Sequence, residues 1–260
     1  MDFNGYSGHL VRYLLLGMAI VAGPALADDA PGFDRPGYGF APGALPAGGL
    51  ALEQGLPTWT LGNDSGTRSS LYSTDSLLRI GLGAHLELQL GSTPFNRLSE
   101  REATSSTVMH GRGDSTLGLK LGLPSASDAW SWGVLGTMEF TDGARGIRND
   151  RRQYTLGLVA VQQVDEDHQW SYFAQDQRSG NQSSYQLAAD YNIALDKHWG
   201  VYGEAAAVHE DGRSGMQLGN GFTWQPNARV QWDAWWRRRV AGDANDWEGG
   251  LGVAVYFAGP

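Results

Sequence analysis

Alternation of apolar and polar residues runs through most of this chain and sets what it can fold into. Residues 85–91 read His-Leu-Glu-Leu-Gln-Leu-Gly, and residues 116–123 read Thr-Leu-Gly-Leu-Lys-Leu-Gly-Leu. Because successive side chains of a β-strand point to opposite faces, each segment has one apolar and one polar face. The polar face carries many Gly and Ala residues and isolated charges. That combination is typical of a crowded membrane-barrel lumen whose outer face contacts lipid.

The composition agrees with a barrel and argues against several other classes. Hydrophobic residues make up only 41% of the 260 residues, as expected when only alternate strand residues face lipid. The chain has no Cys, which excludes disulfides, thiolate metal sites and a lipoprotein acylation site. The net charge of −9 argues against a nucleic-acid partner, which would need a basic face. We expect no metal and no cofactor.

The N-terminus has the features of an export signal. An apolar run at residues 13–21 follows Arg12, and Ala-Leu-Ala at 25–27 supplies the pattern that signal peptidase reads. The run is too short to span a bilayer as a stable helix, although an N-terminal anchor helix is the alternative. We expect residues 1–27 to be a cleaved signal peptide. Residues 28–49, rich in Gly, Pro and Ala, are predicted to be a lead-in segment without regular structure.

Residues 50–260 are predicted to form one domain, an all-β antiparallel transmembrane barrel of about twelve strands in a Gram-negative outer membrane. Most segments have the roughly nine to eleven residues that a tilted membrane strand requires. If the first connection faces outward, the tight turns and both termini fall on the periplasmic side. The predicted strands lie near 50–59, 71–81, 84–91, 115–123, 130–140, 153–164, 168–176, 183–194, 199–209, 215–225, 228–238 and 246–257.

Aromatic residues near the predicted strand ends favour interfacial girdles, with the core of a soluble barrel as the alternative. The tryptophans in these positions are Trp132, Trp170, Trp199, Trp224, Trp232, Trp236 and Trp247. The last strand ends in Gly-Val-Ala-Val-Tyr-Phe at 252–257, before a final Ala-Gly-Pro. This ending resembles the C-terminal signal that the barrel assembly machinery recognises, so we expect that machinery as a partner during biogenesis.

Several blocks of the sequence stand out beyond the strand alternation: residues 34–37, 42–48 and 50–55, then 77–82 and 86–91, then 113–120. They resemble the opening, the second hairpin and the next shared block of a transporter-like outer-membrane family named for a meta-pathway of phenol degradation. The resemblance covers the first half of the chain, and the second half resembles the family only as a generic barrel. It implies an outer-membrane protein linked to the passage of aromatic or other small compounds, with no defined substrate site.

If the apolar rows face lipid, the opposite rows bring many charges into one lumen. Such charges must be paired or hydrated, and fixed charges around a narrow bore can select solutes by sign and size. The alternative is a salt-bridged lumen that keeps a small barrel closed. The predicted lumen-lining residues are Glu53, Arg79, Glu87, Lys120, Glu139, Asp190, Glu204, Arg229, Asp233, Arg237 and Glu248.

The predicted function is passive or gated passage of small molecules through this lumen, with no catalytic residues. The alternatives are a barrel enzyme acting on lipid or peptide at the outer rim, where His110 and His209 are predicted to lie, and a plugged structural barrel.

An arginine cluster is predicted at the outer rim of the barrel. Arg237, Arg238 and Arg239 end one strand next to two tryptophans. They are candidates to bind lipopolysaccharide phosphates, or alternatively to reach the lipid headgroup layer. Outer-membrane lipids and lipopolysaccharide are therefore expected partners.

Overall fold

The computed structural model describes residues 32–64, 66–210 and 212–257, so the predicted signal peptide (residues 1–27) lies outside the described residues. In this part of the chain no helix is long and apolar enough to cross a membrane. Thirteen strands are present here: β1 (Leu50–Asp64), β2 (Thr67–Gly81), β3 (Leu86–Arg101), β4 (Ser106–Gly111), β5 (Ser115–Leu123), β6 (Trp130–Glu139), β7 (Gln153–Gln163), β8 (His168–Ser179), β9 (Gln182–Ala194), β10 (Trp199–Glu210), β11 (Arg213–Asn227), β12 (Val230–Gly242) and β13 (Trp247–Phe257).

The strands form one closed antiparallel sheet. Chain neighbours pair in sequence order, and β1 pairs with β13, with Leu50 opposite Phe257. β4 pairs with the last six residues of β3, while β5 pairs with the first part of the same strand, residues 86–92. β4 and β5 therefore share one position around the sheet. The predicted twelve-stranded antiparallel barrel is confirmed.

The two ends of the barrel differ. Leu50 and Phe257 lie at one end, called here the terminal end, together with the short turns that follow β2, β5, β7, β9 and β11. The opposite end, called here the loop end, carries the longer connection at residues 140–152 between β6 and β7. Both chain ends of the barrel lie at the terminal end, whereas the loop end combines this long connection with two-residue connections after β1, β8 and β10.

Several strands continue past their predicted limits toward the loop end. The predicted strands near 84–91 and 115–123 left residues 92–114 as a connection without strand structure, and this was wrong for most of that range. β3 continues to Arg101 and β4 returns over Ser106–Gly111. β1 and β2 likewise extend to Asp64 and from Thr67. These extensions carry polar residues on both faces, so the alternation that marks the rest of each strand is missing there.

The apolar rows face outward and the charged rows face inward, as predicted. In β5 the side chains of Leu119 and Leu121 are 53% and 43% exposed, whereas Lys120 between them is fully buried. The same alternation places Glu53, Arg79 and Glu87 among the fully buried side chains. A barrel with an exposed leucine belt and buried charges matches a lipid-facing exterior and a polar lumen.

Aromatic side chains form belts on the outer face near both ends of the barrel. Toward the terminal end the rings of Trp170 and Tyr191 lie 4.7 Å apart, and the tryptophans predicted in the girdle near this end point outward. Toward the loop end Trp236 and Trp247 lie 5.7 Å apart. Trp235 differs, because its ring lies 4.4 Å from the buried Arg237 guanidinium.

Candidate functional site

Residues 32–49, called here the lumenal segment, run inside the terminal end of the barrel. This segment contains neither helix nor strand, yet Leu45 is fully buried and Phe40 is 9% exposed. The backbone N–H of Leu45 donates to Glu87 Oε2 of β3 at 2.9 Å. On the other side of the lumen, the Tyr38 hydroxyl donates to Gln217 Oε1 of β11 at 2.6 Å. The segment therefore bridges opposite walls of the barrel.

Five buried charged residues, called here the first charge cluster, tie the lumenal segment to β1, β2, β3 and β5. Arg79 donates to Glu53 Oε1 at 2.7 Å and to Glu87 Oε1 at 2.8 Å. Lys120 Nζ lies 2.8 Å from Asp34 Oδ1 and 3.1 Å from Glu87 Oε1. Two cations against three carboxylates leave one net negative charge. Buried charges of this kind persist only with such dense pairing.

Asp34 brings the lumenal segment into this cluster. Its carboxylate accepts hydrogen bonds from Lys120 Nζ and from Gln89 Nε2 at 2.7 Å, and from its own segment through the backbone N–H of Ala41 at 2.9 Å. Burial alone would raise the pKa of Asp34, but the charges of Arg79 and Lys120 outweigh burial and hold the pKa below its usual range. Asp34 is therefore ionised at neutral pH.

The second charge cluster is formed by Arg237, Glu204 and Glu248. Arg237 Nε donates to Glu204 Oε1 at 2.6 Å, and its Nη1 lies 3.5 Å from Glu248 Oε2. The guanidinium also lies 3.5 Å from the centre of the Tyr38 ring, a cation–π contact with the lumenal segment. One cation here faces two carboxylates.

A third ionic contact fixes the start of the lumenal segment. Arg35 pairs with Asp233 of β12 at 3.1 Å, and its backbone carbonyl accepts a hydrogen bond from Gln231 Nε2 at 2.7 Å. The backbone N–H groups of Asp34 and Arg35 donate to the Glu53 carboxylate at 2.9 and 2.8 Å. The segment thus satisfies lumenal charges with backbone groups as well as side chains.

One side of the lumen is apolar instead of charged. Phe40 of the lumenal segment meets Phe173 of β8 edge-on, with ring centres 6.1 Å apart. Val159, Ala188 and Ala206 complete this buried group. The lumenal segment is therefore held by ion pairs on one side and by apolar packing on the other.

Two glycines on the inner face of the barrel wall have no side chain, and this leaves room for the lumenal segment. A Cβ at Gly81 would lie 1.9 Å from the carbonyl oxygen of Pro46. A Cβ at Gly133 would lie 2.7 Å from the carbonyl oxygen of Pro42. Any larger residue at these inward positions would displace the segment, so the wall sequence and the segment fit each other.

Cavities lie on both sides of the lumenal segment. The inner cavity, toward the terminal end, has a volume of about 510 Å³. Two outer cavities of about 420 and 450 Å³ lie toward the loop end and share Asp75 and Glu139 in their linings. Four residues of the segment line both the inner cavity and the first outer cavity: Asp34, Arg35, Gly39 and Phe40. The segment therefore separates the inner cavity from the first outer cavity.

Asp114 anchors the long outer loop, residues 140–152, over the loop end. Its buried carboxylate accepts hydrogen bonds from the backbone N–H groups of Gly143 and Asn149, both at 2.7 Å. In the exposed part of the loop, hydrogen bonds from the backbone N–H of Ser115 and from Arg112 lower the pKa of Asp142 to about 2. Ile147 and Asn149 line the second outer cavity, so this loop closes part of it.

Replacing Asp114 with alanine should release this loop. Two backbone N–H groups would lose their acceptor, and local opening would expose the chain to protease. We expect tryptic cleavage after Arg145 or Arg148 to be several-fold faster than in the unaltered protein. Asp150→Ala, an exposed acidic residue of the same loop, serves as the control. Unchanged cleavage in Asp114→Ala would show that other contacts hold the loop.

The structure brings most of the predicted lumen residues together in groups. Glu53, Arg79, Glu87 and Lys120 meet in the first charge cluster, and Glu204, Arg237 and Glu248 meet in the second. Asp233 pairs with Arg35, and Glu139 lines the outer cavities. Asp190 is buried beside the second cluster and, within the described residues, its Oδ1 has no hydrogen-bond partner.

Two predicted placements differ from the structure. Arg229 lies in the turn between β11 and β12, away from both charge clusters. Arg237, named also as a lipopolysaccharide contact, is 7% exposed and bound inside the lumen. Arg238 is exposed and lies over the Trp247 ring at 5.5 Å, whereas Arg239 is half-buried and pairs with Asp246.

Sequence reasoning missed Asp34, Arg35 and Asp114. The first two are an acid and a base side by side in a Gly- and Pro-rich stretch, the one signal that this stretch has ionic partners. Asp114 lies just before a strand, where an acidic residue is an ordinary turn residue. The partners of Asp34 and Arg35 come from distant strands, and those of Asp114 come from the loop 140–152. No local pattern reveals these contacts.

The fold is shared with outer-membrane barrels of known structure. No family model matches the chain, and no curated protein is significantly similar to it in sequence. An outer membrane channel from Pseudomonas putida F1 is 16% identical, with a TM-score of 0.64 over 83% of this chain and 97% of that one. The KdgM porin is 8% identical, with a TM-score of 0.54 over 81% of this chain and 99% of that one.

The same architecture also occurs in a different kind of protein. The translocator domain of the autotransporter NalP from Neisseria meningitidis is 10% identical, with a TM-score of 0.51 over 81% of this chain and 89% of that one. At these identities the likeness establishes the fold, that of an outer-membrane β-barrel. This fold does not by itself imply one function, because unrelated functions occur on the same fold.

Proposed function

We propose that this protein is an outer-membrane channel for the passive or gated passage of small molecules. The observation that carries the proposal is the hollow lumen: cavities from both ends of the barrel reach the same four residues of the lumenal segment. A small shift of this segment would join the cavities into one path. The structural likeness to channels and porins from outer membranes supports the same assignment.

The charge of the outer cavities favours cations and neutral polar solutes. Asp75, Asp114 and Glu139 line the second outer cavity, and in the described residues of its lining there is no Lys or Arg. Arg35 lines the first outer cavity, but its guanidinium is bound to Asp233. Fixed negative charge along a narrow path attracts cations and repels anions. The family resemblance adds aromatic compounds as candidate solutes.

Planar-bilayer recording tests this proposal directly. We expect discrete single-channel openings and, in a KCl gradient, a reversal potential that shows preference for potassium over chloride. The double variant Asp75→Asn/Glu139→Gln should lower that preference, because it removes two fixed charges from the outer cavities. Asp128→Asn, in the exposed turn between β5 and β6, should leave the reversal potential unchanged.

Two results would contradict this proposal. A bilayer that stays silent with the unaltered protein, and also with a variant whose lumenal segment has been displaced, would rule out a channel. Anion preference unaffected by the double variant would rule out the proposed charge selection.

We further propose that the channel has no catalytic activity. Among the described residues, the pair that favours an enzyme is His209 Nδ1 and Ser214 Oγ, 2.8 Å apart near the loop end. Within the described ranges, the other nitrogen of this ring has no hydrogen-bond partner that would orient it as a general base. Ester hydrolysis that is lost in Ser214→Ala and kept in the control variant Ser106→Ala would overturn this proposal.

The outer surface suggests lipid partners. Arg238 and Arg239 lie toward the loop end beside the aromatic belt and are the proposed contacts for lipopolysaccharide phosphates. The strand β13, which ends in Tyr256 and Phe257, is the proposed signal for the barrel assembly machinery. Outer-membrane location, in turn, follows from the leucine belt on a closed barrel.

A further inference from the structure

Asp190 is an unpaired carboxylate inside the barrel. It is 8% exposed, and its Oδ1 has no hydrogen-bond partner among the described residues. Its cross-strand neighbour Glu204 takes two hydrogen bonds from Arg237, at 2.6 and 3.2 Å. Because Arg237 also faces Glu248, it is already shared by two carboxylates. In the part of the chain that the structure describes, Asp190 is left without a cation of its own.

Asp190 belongs to the lining of the inner cavity. The lumenal segment approaches Asp190 at Gly37, which has no side chain. A Cβ added to Gly37 would lie 3.8 Å from Asp190 Oδ2. Ser171 is the cross-strand partner of Asp190 on β8. The cavity volume of about 510 Å³ falls in the range of pockets that hold small organic ligands.

The wall beside Asp190 is aromatic and apolar. Phe40, Phe173 and Val159 line the same cavity, as does Tyr202, whose buried hydroxyl likewise has no hydrogen-bond partner among the described residues. A carboxylate next to aromatic rings recognises an ammonium group attached to an apolar body, through charge pairing and cation–π attraction. A metal ion is a poorer fit, because the described residues contain no group of three His, Cys, Asp or Glu side chains that could hold one.

The mouth of the inner cavity is negatively charged. Glu166 and Asp167 lie there as exposed carboxylates, beside a single lysine, Lys197. Arg35 also lines the cavity, but its guanidinium is paired with the Asp233 carboxylate. This balance attracts positively charged solutes toward Asp190 and disfavours anions.

We propose that the inner cavity binds a small organic cation, an ammonium group on an aromatic or apolar body, with Asp190 as its counter-ion. The inference deepens the proposed function, because it rests on the same lumen and names a class of solute for it. Asp190 supplies the charge and Phe173 with Phe40 supplies the apolar wall.

Calorimetric titration of the folded full-length protein in detergent with benzylammonium tests the proposal. The unaltered protein should bind benzylammonium, and Asp190→Asn should weaken binding by roughly tenfold or more, as expected for loss of a charged hydrogen-bond partner. Benzyl alcohol, a neutral molecule of similar shape, should bind both proteins weakly and alike. Asp128→Asn removes a charge of the same kind from the exposed turn between β5 and β6, outside the lining of this cavity, and should change the affinity little.

A second variant tests the site independently, in case Asp190→Asn does not fold. Phe173→Leu keeps every lumenal charge, and it should weaken binding of benzylammonium more than binding of methylammonium. Equal benzylammonium affinity in the unaltered protein, Asp190→Asn and Phe173→Leu would overturn the proposal. Because this titration needs no current, a silent bilayer with Asp190-dependent binding would refute the channel alone, and normal currents without such binding would refute the cation site alone.

Discussion

Replacement of Arg79 by methionine should destabilise the folded barrel by about 3–5 kcal/mol, as is typical when one partner is removed from a buried ion pair. The variant leaves Asp34, Glu53 and Glu87 enclosed with Lys120 as their one remaining cation in the cluster. Three carboxylates then repel each other where water cannot fully solvate them. Denaturant unfolding of the refolded protein in detergent micelles measures the loss.

Matched variants separate this effect from general damage. Arg112→Met removes an ion pair whose side chains are 43% and 47% exposed, and it should change stability little. Adding Glu87→Gln to Arg79→Met should recover part of the stability, because one excess carboxylate is neutralised. Similar losses for Arg79→Met and Arg112→Met would show that the cluster is not enclosed.

Replacement of Gly133 by leucine should raise single-channel conductance several-fold. The new side chain would occupy the place of the lumenal segment near Pro42, whose carbonyl oxygen lies 2.7 Å from the position of the added Cβ. Displacing the segment would remove the partition between the inner and outer cavities. Planar-bilayer recording measures the change.

The same strand offers the control. Gly136 faces outward with nothing within 4 Å of an added Cβ, so Gly136→Leu should conduct like the unaltered protein. Asp34→Ala should also raise conductance, because it detaches the segment from Lys120 and Gln89 without adding bulk. If both lumen variants conduct like Gly136→Leu, the lumenal segment is not the barrier.

The lumenal face of the strands could be read from the sequence because alternation is a local property. Lys120 lies between leucines, and Glu87 does too; both are fully buried in the barrel. The strand extensions near Arg101 and the whole of β4 could not be read, because their residues are polar on both faces. The ion-pair partners could not be read from the sequence either. Lys120 binds Asp34, 86 positions away, and Arg35 binds Asp233, 198 positions away.

The sequence by itself determined that this chain forms a closed barrel with leucines outside and charges inside, since the two-residue period of a strand assigns each side chain to a face. Only the tertiary structure decided what fills that lumen. The segment at residues 32–49 has no period of its own, and its place follows from Glu53, Arg79 and Asp233 converging from distant strands. Closure of the barrel creates that convergence, so the partition, the two sets of cavities and the unpaired Asp190 arise only in three dimensions.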